Sequence, residues 1–207
     1  MIVIIDYGMG NLKSVKNALN FIGIESKISS NEDDIRNAKA LILPGVGAFP
    51  DAMDNIEKLS LDKVIKEEVE KGKPLLGICL GMQLLFEKGF EGLERKGLGL
   101  LQGSIVKMKD DKDKNVKIPH IGWNNLLYNQ KDELFNNIEE GNFVYFVHSY
   151  YAQGYRDEDL VAYCEYGDLK IPAVVRCKNV MGAQFHPEKS GTVGLNILRN
   201  FGELIKW

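Results

Sequence analysis

Four consecutive apolar residues, Ile2-Val3-Ile4-Ile5, open the chain, and two further runs follow at Ala40-Leu41-Ile42-Leu43 and Leu75-Leu76-Gly77-Ile78. A strand that is apolar at every position, rather than at every second one, is one buried on both faces. Between these runs the apolar residues recur at helical spacing. Leu12, Val15, Ala18, Leu19 and Ile22 mark a helix over Asn11 to Phe21, and a second amphipathic stretch runs from Leu61 to Val69 and ends at Gly72. Pro50 suits the first turn of another helix. Strands alternating with helices predict a parallel sheet covered on both sides.

From Leu101 onward the pattern changes to strand-like runs separated by turn chemistry: Gly103 to Met108, Val144 to Tyr151, Val161 to Tyr166 and Ala173 to Arg176. Asp110 to Asn115 reads as a solvated hairpin tip. Leu195, Leu198, Phe201, Leu204 and Ile205 mark a closing helix over Leu195 to Ile205. The expected fold is a single α/β domain, residues 1–207, with an open mixed, largely parallel central sheet flanked by helices.

Chemistry enters at the end of the third run. Gly77-Ile78-Cys79-Leu80-Gly81 is followed by Met82 to Glu87, which reads as helix. An abrupt strand-to-helix turn strains its apex residue and needs small neighbours to avoid a clash. It lifts one side chain above the sheet edge and aims at it the helix N-terminus, with unpaired N–H groups and roughly half a positive charge. A thiol there has its thiolate, the nucleophilic form, favoured. Most free cysteines are core residues; the flanking glycines tip Cys79 toward the nucleophile.

Such a thiol needs a base, and the base an orienting group. The chain has three histidines, His120, His148 and His186. His186 lies in Phe185-His186-Pro187-Glu188, where Glu188 is two residues on and can reach one ring nitrogen while the other faces the thiol. Pro187 fixes φ between them and stops the ladder. His148 is the weaker candidate, inside a strand-like run without a nearby carboxylate. For a developing oxyanion, the backbone N–H of Leu80 is one donor by position alone.

The elbow around Cys79 and the Phe185-His186-Pro187-Glu188 segment together resemble the class I, or triad, glutamine amidotransferases. Asp6-Tyr7-Gly8-Met9-Gly10-Asn11, Pro44-Gly45-Val46-Gly47-Ala48-Phe49, Pro119-His120-Ile121-Gly122-Trp123-Asn124 and Val147-His148-Ser149-Tyr150-Tyr151 extend the resemblance over essentially the whole chain, toward the glutaminase subunits of histidine biosynthesis. The resemblance implies a flavodoxin-like fold and a cysteinyl thioester formed from glutamine, with release of ammonia. It implies Cys79, His186 and Glu188 as the triad and Val46 as the second oxyanion donor, in a turn whose glycines allow its peptide plane to change orientation. Gly45, Gln83, Glu91, Ser149 and Tyr150 would hold the substrate, Glu91 by its ammonium and the last two by backbone N–H groups. Nothing in the chain resembles a synthase domain, so the ammonia acceptor is expected to be a separate (β/α)₈-barrel synthase subunit in a heterodimer. Asn11, Trp123, Tyr145 and Lys189 would face it. A stand-alone γ-glutamyl hydrolase, a non-catalytic regulatory subunit and an amidotransferase serving another acceptor remain open alternatives.

Composition narrows the classes further. With 207 residues, 44% hydrophobic and 27% charged, the chain has the balance of a globular domain able to bury well over half of its extended surface. A net charge of −3 without a basic cluster gives no electrostatic reason to expect nucleic acid. No run is long enough for a membrane span, and no signal-type segment opens the chain. Three cysteines without close spacing argue against a disulfide framework and for the cytoplasm, with Cys164 and Cys177 as packing residues. There is no C-x-x-C, H-x-x-x-H or calcium-type loop, and Lys13 stands where a dinucleotide fingerprint after Gly8-Met9-Gly10 needs a third glycine. Neither metal nor cofactor is expected.

Overall fold

In chain order the first half runs β1 (Ile2–Ile5), α1 (Leu12–Phe21), β2 (Ser26–Ser29), α2 (Glu32–Asn37), β3 (Ala40–Gly45), α3 (Phe49–Lys58), α4 (Leu61–Glu70), β4 (Leu75–Cys79) and α5 (Leu80–Leu84). The second half is rich in strands: β5 (Phe86–Gly89), β6 (Arg95–Lys96), β7 (Leu101–Lys107), β8 (His120–Asn125), β9 (Leu127–Tyr128), β10 (Phe143–His148), β11 (Tyr150–Gln153), β12 (Leu160–Tyr166), β13 (Leu169–Cys177) and β14 (Val180–Ala183), closed by α6 (Gly191–Glu203). These elements come from a computed structural model that describes residues 1–109 and 116–205, so the hairpin tip expected at Asp110 to Asn115 falls outside them.

The main sheet has eight strands in the order β2-β1-β3-β4-β14-β13-β12-β9. Its first five are parallel and the other three antiparallel, a mixed sheet. The continuous apolar runs are explained by cover on both faces. Ile2 and Ile4 of β1 and Ile42 of β3 share a core with Val15 and Leu19 of α1 and Ile197, Leu198 and Phe201 of α6. Val3, Ile5, Leu41 and Leu43 point the other way, onto Phe49, Met53 and Ile56 of α3 and Val64 and Ile65 of α4.

Three expectations are corrected. The strand-like runs of the second half do not all join one sheet: β11-β7-β5-β6 and β10-β8 form two smaller ones. The Val144 to Tyr151 run is two strands, because the chain crosses between these small sheets at Ser149; β10 pairs with β8, β11 with β7, and the Ser149 carbonyl accepts from Met108 N (2.9 Å). The helix after Cys79 stops at Leu84, and Phe86 and Glu87 begin β5. The carbonyls of Leu84 and Leu85 are taken by the N–H groups of Leu98, Leu100 and Leu101 (2.8–3.0 Å), which replace helix continuation. β2 and α2 gave no apolar run. β2 is an edge strand of sequence Ser-Lys-Ile-Ser, and α2 buries only Ile35. The α2 start was nonetheless legible, since Asn31 caps it through Asp34 N (3.2 Å) and Glu32, Asp33 and Asp34 complement its dipole.

The parallel strands end at one edge, where open α/β sheets hold their ligands. Gly45 of β3 is in register with Cys79 of β4, and Ala183 of β14 with Ile78. The segment after β14 is thereby delivered beside Cys79. Ile42→Ala, at the centre of this sheet, is expected to lower unfolding free energy by about 2–5 kcal/mol in urea titration. A loss below about 1 kcal/mol would show that this face is not close-packed.

Candidate active site

Cys79 sits at the apex of the β4–α5 turn with φ 54° and ψ −111°, a conformation that non-glycine residues adopt only under constraint. The constraint is close packing on both sides. A Cβ at Gly77 would come within 2.7 Å of the Met82 backbone, and one at Gly81 would overlap the Leu43 carbonyl of β3. The thiol lines a cavity of about 290 Å³, at the small end of ligand clefts and suited to a single amino acid.

His186 and Glu188 meet across a single 3₁₀ turn, Pro187–Lys189, not along an extended strand. Their contact, His186 Nδ1–H to Glu188 Oε1, is 2.8 Å with both side chains buried. Burial alone would lower the imidazole pKa; the Cys79 sulfur and then the Glu188 carboxylate outweigh it and push His186 up to about 9. Paired with a Cys79 thiolate, His186 is thereby favoured in its imidazolium form. Nε2 has no hydrogen bond of standard geometry among the described residues. The cavity wall also includes Val46, Leu80, Gln83, Glu91, Ser149 and Tyr150.

Two of these side chains are already engaged. The Gln83 amide nitrogen donates to Tyr150 O and Gln184 Oε1 (both 3.0 Å), leaving its oxygen to accept. Glu91 accepts from Phe49 N (2.7 Å) at the start of α3, which anchors its loop against the cavity. Gly45 is buried behind the wall, its Cα facing Tyr7 and Leu80.

Of the four residues expected at a partner face, two are in direct contact. Trp123 and Tyr145 are cross-strand neighbours with rings in edge contact at 6.1 Å. Trp123 and Lys189 are exposed, and Asn11 is half-buried at the N-terminus of α1. Tyr145 reaches His186 through the backbone: its carbonyl accepts from His186 N (3.0 Å), and its N–H donates to Ser190 Oγ (3.0 Å), which donates to His186 O (2.7 Å). His148 also lines the cavity but has no carboxylate partner among the described residues, and burial pushes it down to about 3.

Sequence reasoning missed three neighbours of the site. Gln184 is fully buried and its Nε2 donates to the Cys79 sulfur (3.9 Å). The Tyr7 hydroxyl donates to Pro44 O (2.9 Å), beside the Val46 turn. Ser190 is the third. A glutamine at the end of an apolar run was the one available signal, since a buried amide demands partners. Cys164 is buried in the core, while Cys177 is half-buried at the end of β13 and accepts from Arg156 (2.9 Å).

The sequence model of the family described as glutamine amidotransferase class-I matches residues 3–204. Among curated relatives, the imidazole glycerol phosphate synthase subunit HisH of Caldanaerobacter subterraneus is 53% identical, covering 100% of this chain and 99% of that one. The protein of the same name from Bacillus subtilis is 50% identical over 99% and 96%. Among solved structures, a glutamine amidotransferase superposes with TM-score 0.76 at 22% identity over 99% of both chains. The PurLQS structure of Thermotoga maritima gives 0.76 at 20% identity, over 99% and 98%. At such identities these structures speak for the fold alone.

The His186 titration, followed by NMR, is expected to have its midpoint near 9 and to move down in Glu188→Gln. Since the folded-state pKa lies above the unfolded one, this pair stabilises the chain fully below about 6.5 and is lost as pH rises through 9. A midpoint in the ordinary imidazole range would mean that neither Glu188 nor Cys79 holds the proton.

Proposed function

We propose, from the premise that this chain belongs to the class I glutamine amidotransferases, that Cys79, His186 and Glu188 form its hydrolytic triad. The chain hydrolyses L-glutamine to glutamate and ammonia as the glutaminase subunit of an imidazole glycerol phosphate synthase, in histidine biosynthesis. The observation that carries the triad reading is the buried His186–Glu188 pair beside a thiol on a strained elbow.

The sulfur of Cys79 attacks the side-chain amide carbon of glutamine. The resulting oxyanion takes hydrogen bonds from the N–H groups of Leu80 and Val46; losing one such donor typically costs about 100- to 1,000-fold. His186 then gives its Nε2 proton to the departing nitrogen, and ammonia leaves. The γ-glutamyl thioester remains on Cys79. Water enters, His186 takes one of its protons, a second oxyanion forms at the same donors, and collapse releases glutamate. Glu188 keeps the Nδ1 proton in place throughout, so His186 works only through Nε2. The substrate's ammonium is held by Glu91 and the Gln83 oxygen, its α-carboxylate by the backbone N–H groups of Ser149 and Tyr150.

A synthase subunit receives the ammonia. We assign it a HisF-type (β/α)₈ barrel, forming a heterodimer and making imidazole glycerol phosphate and an aminoimidazole carboxamide ribotide. Exposed apolar Ile121, Trp123 and Phe143 on the β8–β10 ribbon, whose β10 packs against the turn bearing Lys189, support a docking face there. No helix among the described residues is long and apolar enough to cross a membrane; the cytoplasm fits the three free cysteines. Ties from Tyr145 to His186 let a docked partner act on the triad.

Three measurements test this reading. Cys79→Ala is expected to abolish glutamine-dependent synthesis by the assembled enzyme while ammonia-dependent synthesis persists; survival of the first would remove Cys79 as nucleophile. Glu188→Gln should lower glutamine turnover by about 100- to 10,000-fold, and His186→Asn should cost far more than His148→Asn. The isolated chain should be a poor glutaminase, stimulated at least about 5- to 150-fold by the partner. Full activity without it, unchanged on mixing, would favour a self-sufficient hydrolase.

A further inference from the structure

Two buried histidines take no part in the mechanism, and they are hydrogen-bonded to each other. His120 and His148 are cross-strand neighbours on the inner face of the β8–β10 ribbon, with His120 Nδ1 and His148 Nε2 3.1 Å apart. The direction of every bond in this chain follows from its end. His148 Nδ1 lies 2.8 Å from the Tyr150 carbonyl, which can only accept, so Nδ1 carries a proton. In a neutral ring Nε2 then accepts from His120 Nδ1–H, and His120 Nε2 is left facing the Asn124 amide nitrogen at 3.5 Å. Burial holds both rings neutral, pushing His120 down to about 4 and His148 to about 3. His120 is clamped between Phe146 and Tyr166, at centroid distances of 4.8 and 4.0 Å.

The bond from His148 to Tyr150 O spans the place where the chain leaves β10 for β11. Pairing with β8 ends at His148 and pairing with β7 begins at Tyr150, so the turn through Ser149 is not set by one continuous strand. A side chain bonded to the carbonyl two residues on closes a small ring around Ser149 and Tyr150 and fixes the direction of their N–H groups. The same carbonyl accepts from Gln83 (3.0 Å), on the helix that follows the nucleophile. We propose that the His120–His148 dyad is a positioning device that holds the Ser149–Tyr150 backbone in the orientation that receives the α-carboxylate of the amino-acid substrate. This rests on the assignment of that carboxylate to Ser149 and Tyr150. The dyad acts through the backbone; neither ring exchanges a proton with the substrate.

The test uses the assembled two-subunit enzyme with L-glutamine. His148→Phe is expected to raise KM about tenfold, the scale of one lost buried hydrogen bond, while kcat stays within about threefold. Ammonia-dependent synthesis should be unchanged. His148→Asn places an N–H near the Nδ1 position and should recover most of the KM; His148→Gln places its amide toward Nε2 and should not. His120→Phe, which keeps the ring stack and removes the Nδ1 donor, should give an intermediate KM. If His148→Phe does not fold, the Asn and Gln pair decides the question by the same order of KM. An unchanged KM, equal losses in kcat and KM across the set, or Gln no worse than Asn would overturn the proposal. The glutamine Kd of Cys79→Ala complexes, with and without the His148 change, reads positioning apart from turnover. A wild-type complex that binds glutamine without hydrolysing it would sink the triad reading and leave this one standing or falling on that Kd.

Discussion

The close approach of Gly81 to the Leu43 carbonyl is the contact on which the site depends, because it lets β4 turn into α5 directly beneath the end of β3. That turn holds Cys79 at positive φ, a strain of order 1–3 kcal/mol that the buried sheet on either side maintains. With Gly45 and Cys79 in register, the turn after β3 and the thiol after β4 open onto the same cavity. That register brings the backbones of Val46 and Leu80, the proposed oxyanion donors, to one cavity.

The base arrives by a separate route. β14 runs parallel to β4, and the three residues after it, Gln184, Phe185 and His186, carry the chain over the sheet edge beside the thiol. Each is held differently: Gln184 by its backbone bond to Ala173 O and its amide contacts, Phe185 by full burial, His186 by Glu188 and the Tyr145 carbonyl. Cys79, His186 and Glu188, the proposed triad, are thus fastened on one side to the main sheet and on the other to the β8–β10 ribbon. That ribbon also bears exposed Trp123 and the buried His120–His148 pair, so a single two-stranded element connects the proposed docking face, His186 and the backbone proposed to receive the substrate. A displacement of the ribbon would be felt at both His186 and Tyr150.

Much of this was legible in the residues. Apolar runs without alternation mark strands buried on both faces, and Ile2–Ile5, Ala40–Gly45 and Leu75–Cys79 are such strands. Glycines flanking one cysteine at a strand end, and a carboxylate two residues past a histidine, are local patterns with local physical causes. A strand elbow needs small neighbours, and a tight turn brings residues two apart together. The proposed triad was readable because each half of it is nearly contiguous in sequence.

Tertiary structure decided whatever depends on partners distant along the chain. The Val144 to Tyr151 run looked continuous, yet Met108 takes the Ser149 carbonyl and moves the strand into another sheet. The α5 helix ended early because the Leu98 to Leu101 segment claimed its carbonyls. The roles of Tyr7, Gln184 and Ser190 leave almost no trace in sequence, since a hydrogen bond to a backbone atom 37 residues away, as from Tyr7 to Pro44, requires no particular side chain there. The elbow, the buried strands and the His186–Glu188 pair were set by sequence alone, because sterics and short-range reach act within a few residues. The strand order, the cavity and the neutral histidine dyad required the fold, because each is a meeting of segments that only the packed sheet brings together.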